Sequence, residues 1–203
     1  MEKMSHMINK EVYKKTVRLY KQSGSWSRAS LAKLRRGIGK ELGELPELLE
    51  YVLVDLPDDF YEKSKDDIKK AEKAIYQALT LFAFHQQGKD DFMSGSEEEK
   101  YGPSLGKAIR LLINKEPDKE IPLKRRFNQI LSADNVEEVA VHTRGVVGML
   151  KDKNISLDYA RYAKDLYWFQ YPEYKKRVAL EWSEDYFKLN KKENKGDSSD
   201  EKK

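Results

Sequence analysis

Three arginines lie close together in a chain that otherwise prefers lysine. The sequence contains 29 lysines and 10 arginines, yet Arg28, Arg35 and Arg36 fall within nine residues, with Lys33 between them. On a helix, residues seven apart share a face, so Arg28 and Arg35 align and Arg36 lies next to them. A guanidinium group matches two phosphate oxygens better than an ammonium group does. This spacing predicts a ridge that binds phosphates without reading nucleotide sequence.

The alternative for each arginine is an internal ion pair. Residues 1–40 carry 11 basic and two acidic side chains, whereas residues 41–100 carry 16 acidic and seven basic ones. The net charge of +4 therefore hides two oppositely charged regions. A local excess of positive charge attracts polyanions, but pairing with the acidic region remains open for any single arginine.

A second group of basic residues lies in the C-terminal half. Lys124, Arg125 and Arg126 are consecutive near the start of one predicted helix, and Arg144 and Lys151 are seven residues apart on another. If the two helices pack side by side, these residues form a second basic patch. Glu137 precedes Arg144 by seven residues on the same flank and would weaken that patch.

The residue types that catalysis requires are sparse. There is no cysteine, which excludes thiol chemistry and disulfides, and the three histidines are scattered without a metal-binding motif. The alternative that remains is a magnesium-dependent nuclease built on paired aspartates, which we do not favour because such pairs usually serve helix starts and loops. We expect no catalytic residue, no metal and no cofactor. The paired residues are Asp58 and Asp59, Asp66 and Asp67, and Asp90 and Asp91.

The elements that position these residues are predicted to be helices throughout, because apolar residues recur at three- and four-residue spacing. The longest helix begins at Ser64, where Asp67 completes a capping pattern, and ends at Gly88. Asp134 and Glu137 form a similar pair before a later helix. The other helices are predicted over residues 10–21, 27–36, 46–54, 104–114, 122–133, 156–169 and 172–189.

Residues 88–103 are acidic, rich in Gly and Ser, and without periodicity, which predicts an exposed connector. The fold class is therefore all-α, with two small helical bundles: an N-terminal bundle over 1–100 that carries a basic face, and a C-terminal bundle over 101–190. Residues 191–203 are predicted to be a disordered tail. No apolar stretch is long enough to span a membrane and the start has no signal-peptide core, so we expect a cytoplasmic protein without a membrane partner.

Several stretches together are similar to a known family. RRFNQILSADNVEEVAVHTRGVVGMLKDKNISLDYARYAKDLYWF followed by RVALEWSEDYF resembles the CasB family, the small subunit of the type I-E CRISPR Cascade effector complex. SRASLAKLRRGIG, ALTLFAFHQ and SLGKAIRLLIN occur in the order that the family shows. The resemblance spans about residues 26–187, and none of these strings is a catalytic signature.

The resemblance implies a non-enzymatic subunit that touches crRNA and target DNA backbones, beside other Cascade subunits and a second copy of itself. It assigns Arg28, Arg35 and Arg36 to an N-terminal arginine motif. Arg110, Arg125, Arg126 and Arg144 correspond to basic positions of the C-terminal half. The chain uses more lysine than the family does, so Lys33, Lys124 and Lys151 join the candidate site. The alternative function is a helical adaptor that docks an acidic protein and never meets nucleic acid.

Overall fold

The structure is a computed structural model that describes residues 2–22, 24–95 and 102–188. The described residues form ten α-helices and no strand, which confirms the predicted all-α class. Short 3-10 turns occupy Arg35–Gly37, Pro46–Leu48 and Pro117–Lys119. The helices are α1 (Glu2–Lys21), α2 (Ser25–Leu34), α3 (Leu49–Leu53), α4 (Asp58–Tyr61), α5 (Lys65–Gln86), α6 (Leu105–Lys115), α7 (Glu120–Ser132), α8 (Val136–Asp152), α9 (Tyr159–Phe169) and α10 (Pro172–Phe187).

Helix α5 is the centre of the fold. Its N-terminus is capped as predicted, since the Ser64 hydroxyl accepts a hydrogen bond of 3.1 Å from the Asp67 amide. From Ala74 to Ala83 every side chain is buried, because α1, α2, α8 and α9 all pack against this helix. A helix that is apolar on all sides needs neighbours on all sides.

Helices α5 and α8 run parallel and in register. Lys73, about two turns into α5, forms an ion pair of 3.4 Å with Glu137 in the first turn of α8. Eleven residues later in each helix, the ring of Phe84 lies over Gly148, where a Cβ atom would be 3.9 Å from the ring. The seam between these two helices positions most of the residues discussed below.

The two halves of the chain contribute to one cluster of buried apolar side chains. Helices α1 and α5 from the first half pack against α9 from the second. The division into two bundles near residue 100 stays a prediction.

The predicted connector is not exposed throughout. Met93 and Ser94 are buried. The carbonyl of Met93 accepts a hydrogen bond from the Leu157 amide at 3.0 Å, and that of Pro103 accepts one from Asp158 at 2.9 Å. The prediction was wrong here because backbone hydrogen bonds to another loop bury these residues without any periodic signal. Residues 96–101 and the predicted tail, 191–203, lie outside the described residues.

Two helices begin at residues other than those predicted from the sequence. Helix α8 is capped by Asn135, whose side-chain oxygen accepts from the Glu138 amide at 2.8 Å, and Glu138 in turn accepts from the Asp134 amide at 2.7 Å. The capping pair is therefore one residue later than Asp134 and Glu137. Helix α1 begins at Glu2, well before residue 10, since Met4 and Ile8 are buried against the core. Among the described helices, none is long and apolar enough to cross a bilayer.

Candidate nucleic-acid interface

Arg28 and Arg35 line one groove, as their spacing predicted. The groove runs between α2, the end of α1 and the turn after α5, where Lys89 and the acidic Asp90 line it as well. The buried side chain of Gln86 holds this turn, since its amide donates to the carbonyls of Lys89 at 2.9 Å and of Asp91 at 2.8 Å. The position of Lys89 is therefore fixed through its backbone.

Arg144 and Lys151 flank the same aromatic ring. The guanidinium carbon of Arg144 lies 5.5 Å from the ring centroid of Phe84, and the Lys151 ammonium lies 5.3 Å from it. Both distances fall within the range of cation–π attraction. The two cations on α8 are thereby held at the seam with α5.

Lys151 connects these cations to the groove on α2. Its pKa is lowered first by partial burial of the ammonium group and then by repulsion from Arg35 and Lys89. Such repulsion indicates that Arg35 and Lys89 lie within electrostatic range of Lys151. Cations from the two halves of the chain therefore face the same region of the molecule.

Arg126 adds a further positive charge from α7. Helix α7 packs against α8, and a Cβ atom at Gly145 would lie only 2.8 Å from the Arg126 Nη1 atom. Arg126 thus lies beside the residue that follows Arg144, as the side-by-side packing of the two helices predicted. We call the resulting row of cations the basic track; it consists of Arg28, Arg35, Lys89, Lys151, Arg144 and Arg126.

Ion pairing separates the arginines into two groups. Among the described residues, four of the ten arginines pair with carboxylates within 4 Å. Arg28, Arg35, Arg126 and Arg144 are not in that group, nor are Arg110 and Arg125. Internal pairing, the alternative weighed for each arginine, therefore does not account for the track. The four paired residues are Arg18, Arg36, Arg161 and Arg177.

Arg36 is the predicted site residue for which internal pairing holds. Its Nη1 atom lies 3.5 Å from a carboxylate oxygen of Glu47, which belongs to the acidic region of the chain. Arg35 and Arg36 both lie in the 3-10 turn Arg35–Gly37, but Arg35 lines the groove whereas Arg36 is drawn to Glu47. The spacing of the arginines in the sequence does not reveal this pairing.

The structure does not bring the remaining predicted residues to the track by any direct contact. Lys33 is exposed and lies ~140° around α2 from Arg28. Lys124 and Arg125 are exposed on α7. Arg110 lies near Tyr186, whose pKa is raised first by burial and then by Glu120, while Arg110 lowers it.

Glu137 does not weaken the second patch in the way the sequence suggested. Its carboxylate is engaged by Lys73 at 3.4 Å.

The C-terminal aromatic residues pack mainly in the core, as expected from their spacing, and Trp168, Phe169, Tyr171, Trp182 and Tyr186 are buried. Phe187 is the exception at 65% exposure.

The aspartates of the nuclease alternative are separated and locally engaged. Asp59 pairs with Lys3 at 3.0 Å, and Asp67 accepts hydrogen bonds from the hydroxyls of Tyr167 and Tyr171. Asp91 accepts one of 2.5 Å from the side-chain amide of Asn154. These contacts stabilise helix starts and loops rather than assemble one site.

Sequence reasoning missed Lys89 and Phe84. Lys89 lies in the segment predicted to be an acidic connector, where acidic residues outnumber basic ones. Phe84 belongs to α5 but lies about 200° around the helix from Phe82, away from the core stripe. The sequence did contain a signal for Phe84, namely a large aromatic residue that lies outside the apolar stripe of its helix.

The family model of CRISPR-associated protein Cse2 matches residues 30–187. The crystal structure of CasB from Thermobifida fusca is 30% identical, with a TM-score of 0.70, covering 90% of this chain and 97% of that chain. The crystal structure of M. ruber CasB is 21% identical, with a TM-score of 0.61, covering 87% of this chain and 92% of that one. A chain of a structure described as a CRISPR RNA-guided surveillance complex is 20% identical, with a TM-score of 0.61, covering 90% and 92%.

No curated protein matches the chain in sequence. The family model covers well over half of the residues, and the Thermobifida fusca protein is similar over nearly its whole length. The protein therefore belongs to the Cse2/CasB family, the family of the type I-E Cascade small subunit.

Proposed function

We propose that this protein is a non-catalytic subunit of a CRISPR Cascade complex, in which the basic track holds nucleic-acid backbones and stabilises the R-loop. The observation that carries the proposal is the group of arginines and lysines, drawn from α2, the 3-10 turn that follows it, α7, α8 and the turn after α5, that forms no ion pair within 4 Å among the described residues. Family membership and the structural likeness to a chain of an RNA-guided surveillance complex support the same role. Other Cascade subunits and a second copy of the chain are the proposed protein partners.

The physical argument starts from the energy of R-loop formation. Exchanging a DNA duplex for an RNA–DNA hybrid is nearly balanced in free energy, so modest protein contacts to the backbones decide whether the R-loop persists. Backbone contacts are independent of sequence, as a subunit serving many guides requires. Unpaired arginines are suited to this task because a free guanidinium loses no internal partner when it binds a phosphate.

The salt dependence of binding to single-stranded DNA tests the proposal in the isolated chain. Each neutralised phosphate should contribute a slope of about −0.7 in a plot of log K against log salt. With four to six contacts, as the six-residue track suggests, the total slope should be roughly −3 to −4. Binding should be weak and independent of sequence, and heparin should compete for it.

Two results would contradict the proposal. No binding at low salt, or an affinity that does not change with salt, would remove the role of the track in phosphate contact. Heparin-resistant binding to an acidic protein would instead support the adaptor function.

A further inference from the structure

The ring of Phe84 occupies the space between two cations of the basic track. Arg144, Gly148 and Lys151 follow one another at spacings of four and three residues, so they share one face of α8. Phe84 is half-buried and lies over Gly148, the residue of that face without a side chain. The ring is therefore wedged between Arg144 at 5.5 Å and Lys151 at 5.3 Å.

No carboxylate orients these two cations within the described part of the chain. Among the described residues, 15 ion pairs lie within 4 Å, and neither Arg144 nor Lys151 takes part in any of them. The Phe84 ring is therefore the group that fixes the direction of both side chains. Long basic side chains lose much rotamer freedom when they are fixed in one place. A preformed orientation lowers that loss at the moment of binding.

The ring also reduces the repulsion within the track. Arg35 and Lys89 both lower the pKa of Lys151, whereas the charge of Asp152 opposes them. The repulsion favours orientations of the Lys151 side chain that point away from its basic neighbours. The electron-rich face of an aromatic ring attracts a cation without neutralising it, so Lys151 stays in the row and remains free to bind an anion.

We propose that Phe84 is a positioning residue that directs Arg144 and Lys151 toward a nucleic-acid phosphate backbone. This inference rests on the proposed function of the track. It adds that an aromatic residue from α5, rather than a carboxylate, sets the geometry of the cations on α8. Phe84 acts through these two side chains and does not stack on a base.

The test compares F84L with F84Y in the full chain, with single-stranded oligodeoxythymidylate as the probe. Leucine keeps an apolar side chain but has no π-system, whereas tyrosine keeps the ring. F84L should weaken binding by about three- to tenfold, as expected when the two side chains must be ordered at the moment of binding, and F84Y should bind within about twofold of the wild type. The salt slope should be unchanged in both, since no charge is removed.

A double-mutant cycle separates positioning from a structural effect. In the R144A/K151A background, F84L should cause no further loss of affinity, because the side chains that Phe84 directs are gone. F84M serves as the second apolar replacement should leucine lower the unfolding temperature. The ring-current shifts of the Lys151 side-chain protons, measured by NMR in the free protein, should disappear in F84L and persist in F84Y.

The possible failures are distinguishable. If the wild type and F84L bind the oligonucleotide equally well, the role of Phe84 is wrong. The same holds if F84L lowers the affinity as much in the R144A/K151A background as it does alone. In both cases the proposed function stands. Absence of binding by the wild type would overturn the proposed function and this role with it.

Discussion

The guanidinium group of Arg126 occupies the space that a side chain at Gly145 would need. A Cβ atom there would lie 2.8 Å from Nη1 of Arg126, whereas one at Gly148 would lie 3.9 Å from the Phe84 ring, an ordinary contact. These two glycines, three residues apart on α8, therefore differ in what they accommodate. Gly145 makes room for a cation of the track.

Replacing each glycine by alanine should separate effects on the free energy of unfolding from effects on nucleic-acid binding. Glycine inside a helix is less stable than alanine by about 0.5–1 kcal/mol, so G145A and G148A should both raise the free energy of unfolding. G145A should also displace Arg126 and weaken nucleic-acid binding about two- to fivefold, as expected for one misplaced phosphate contact. Denaturant unfolding and a binding titration measure the two effects. Equal binding by both variants would show that Arg126 does not contribute.

Arg35 and Arg36 are adjacent in sequence but should respond differently to alanine. Arg35 lines the groove with Arg28, while Arg36 pairs with Glu47 at 3.5 Å and is 63% exposed. R35A should lower affinity and reduce the magnitude of the salt slope by about 0.7. R36A should leave both nearly unchanged, because it removes an exposed ion pair of little energetic consequence. A larger effect from R36A would place the nucleic acid on the other side of the turn.

Asp165 should make the protein less stable as the pH rises. Burial raises its pKa to about 6, while its hydrogen bond from the Trp182 indole at 2.8 Å and the charge of Arg161 oppose the rise. The unfolded carboxyl group ionises near pH 3.8, so its stabilising contribution is complete below that pH and is lost as the pH rises through about 6. The loss amounts to about 3 kcal/mol.

D165N provides the control for this titration. Asparagine retains an oxygen that accepts from Trp182 and does not ionise. The unfolding free energy of the wild type should therefore fall relative to D165N between pH 4 and 7. Parallel pH profiles would show that Asp165 has no unusual pKa.

His85 should have the opposite dependence on pH. The ring is fully buried, with Nδ1 3.0 Å from the Tyr159 hydroxyl, and burial lowers its pKa to about 3 from 6.5. The unfolded state takes up a proton below pH 6.5 while the folded state does not, so stability is lost as the pH falls toward 3. H85F should lose less stability than the wild type across this range, by about 5 kcal/mol at most. If acid unfolding of the two proteins coincides, His85 is protonated in the folded state.

The sequence predicted helices well because their apolar periodicity is strong, and it predicted the groove residues Arg28 and Arg35 because they are seven residues apart. The ion pair of Arg36 with Glu47 could not be predicted, because it joins two segments that have no shared periodicity. Sequence reasoning also missed Phe84 and Lys89, whose roles depend on the parallel packing of α5 and α8 and on the Gln86-bound turn. Such contacts between distant segments leave no local pattern in the sequence.

The lifetime of the R-loop in an assembled Cascade complex tests the central claim most directly. One complex would carry R28A/R35A/R144A/K151A, and the control would carry R36A/K40A/K119A/R177A, which removes the same number of charges from residues that pair internally with carboxylates. The basic track predicts a much shorter R-loop lifetime for the first variant and a nearly unchanged lifetime for the control, with both complexes fully assembled. Equal lifetimes would contradict the account.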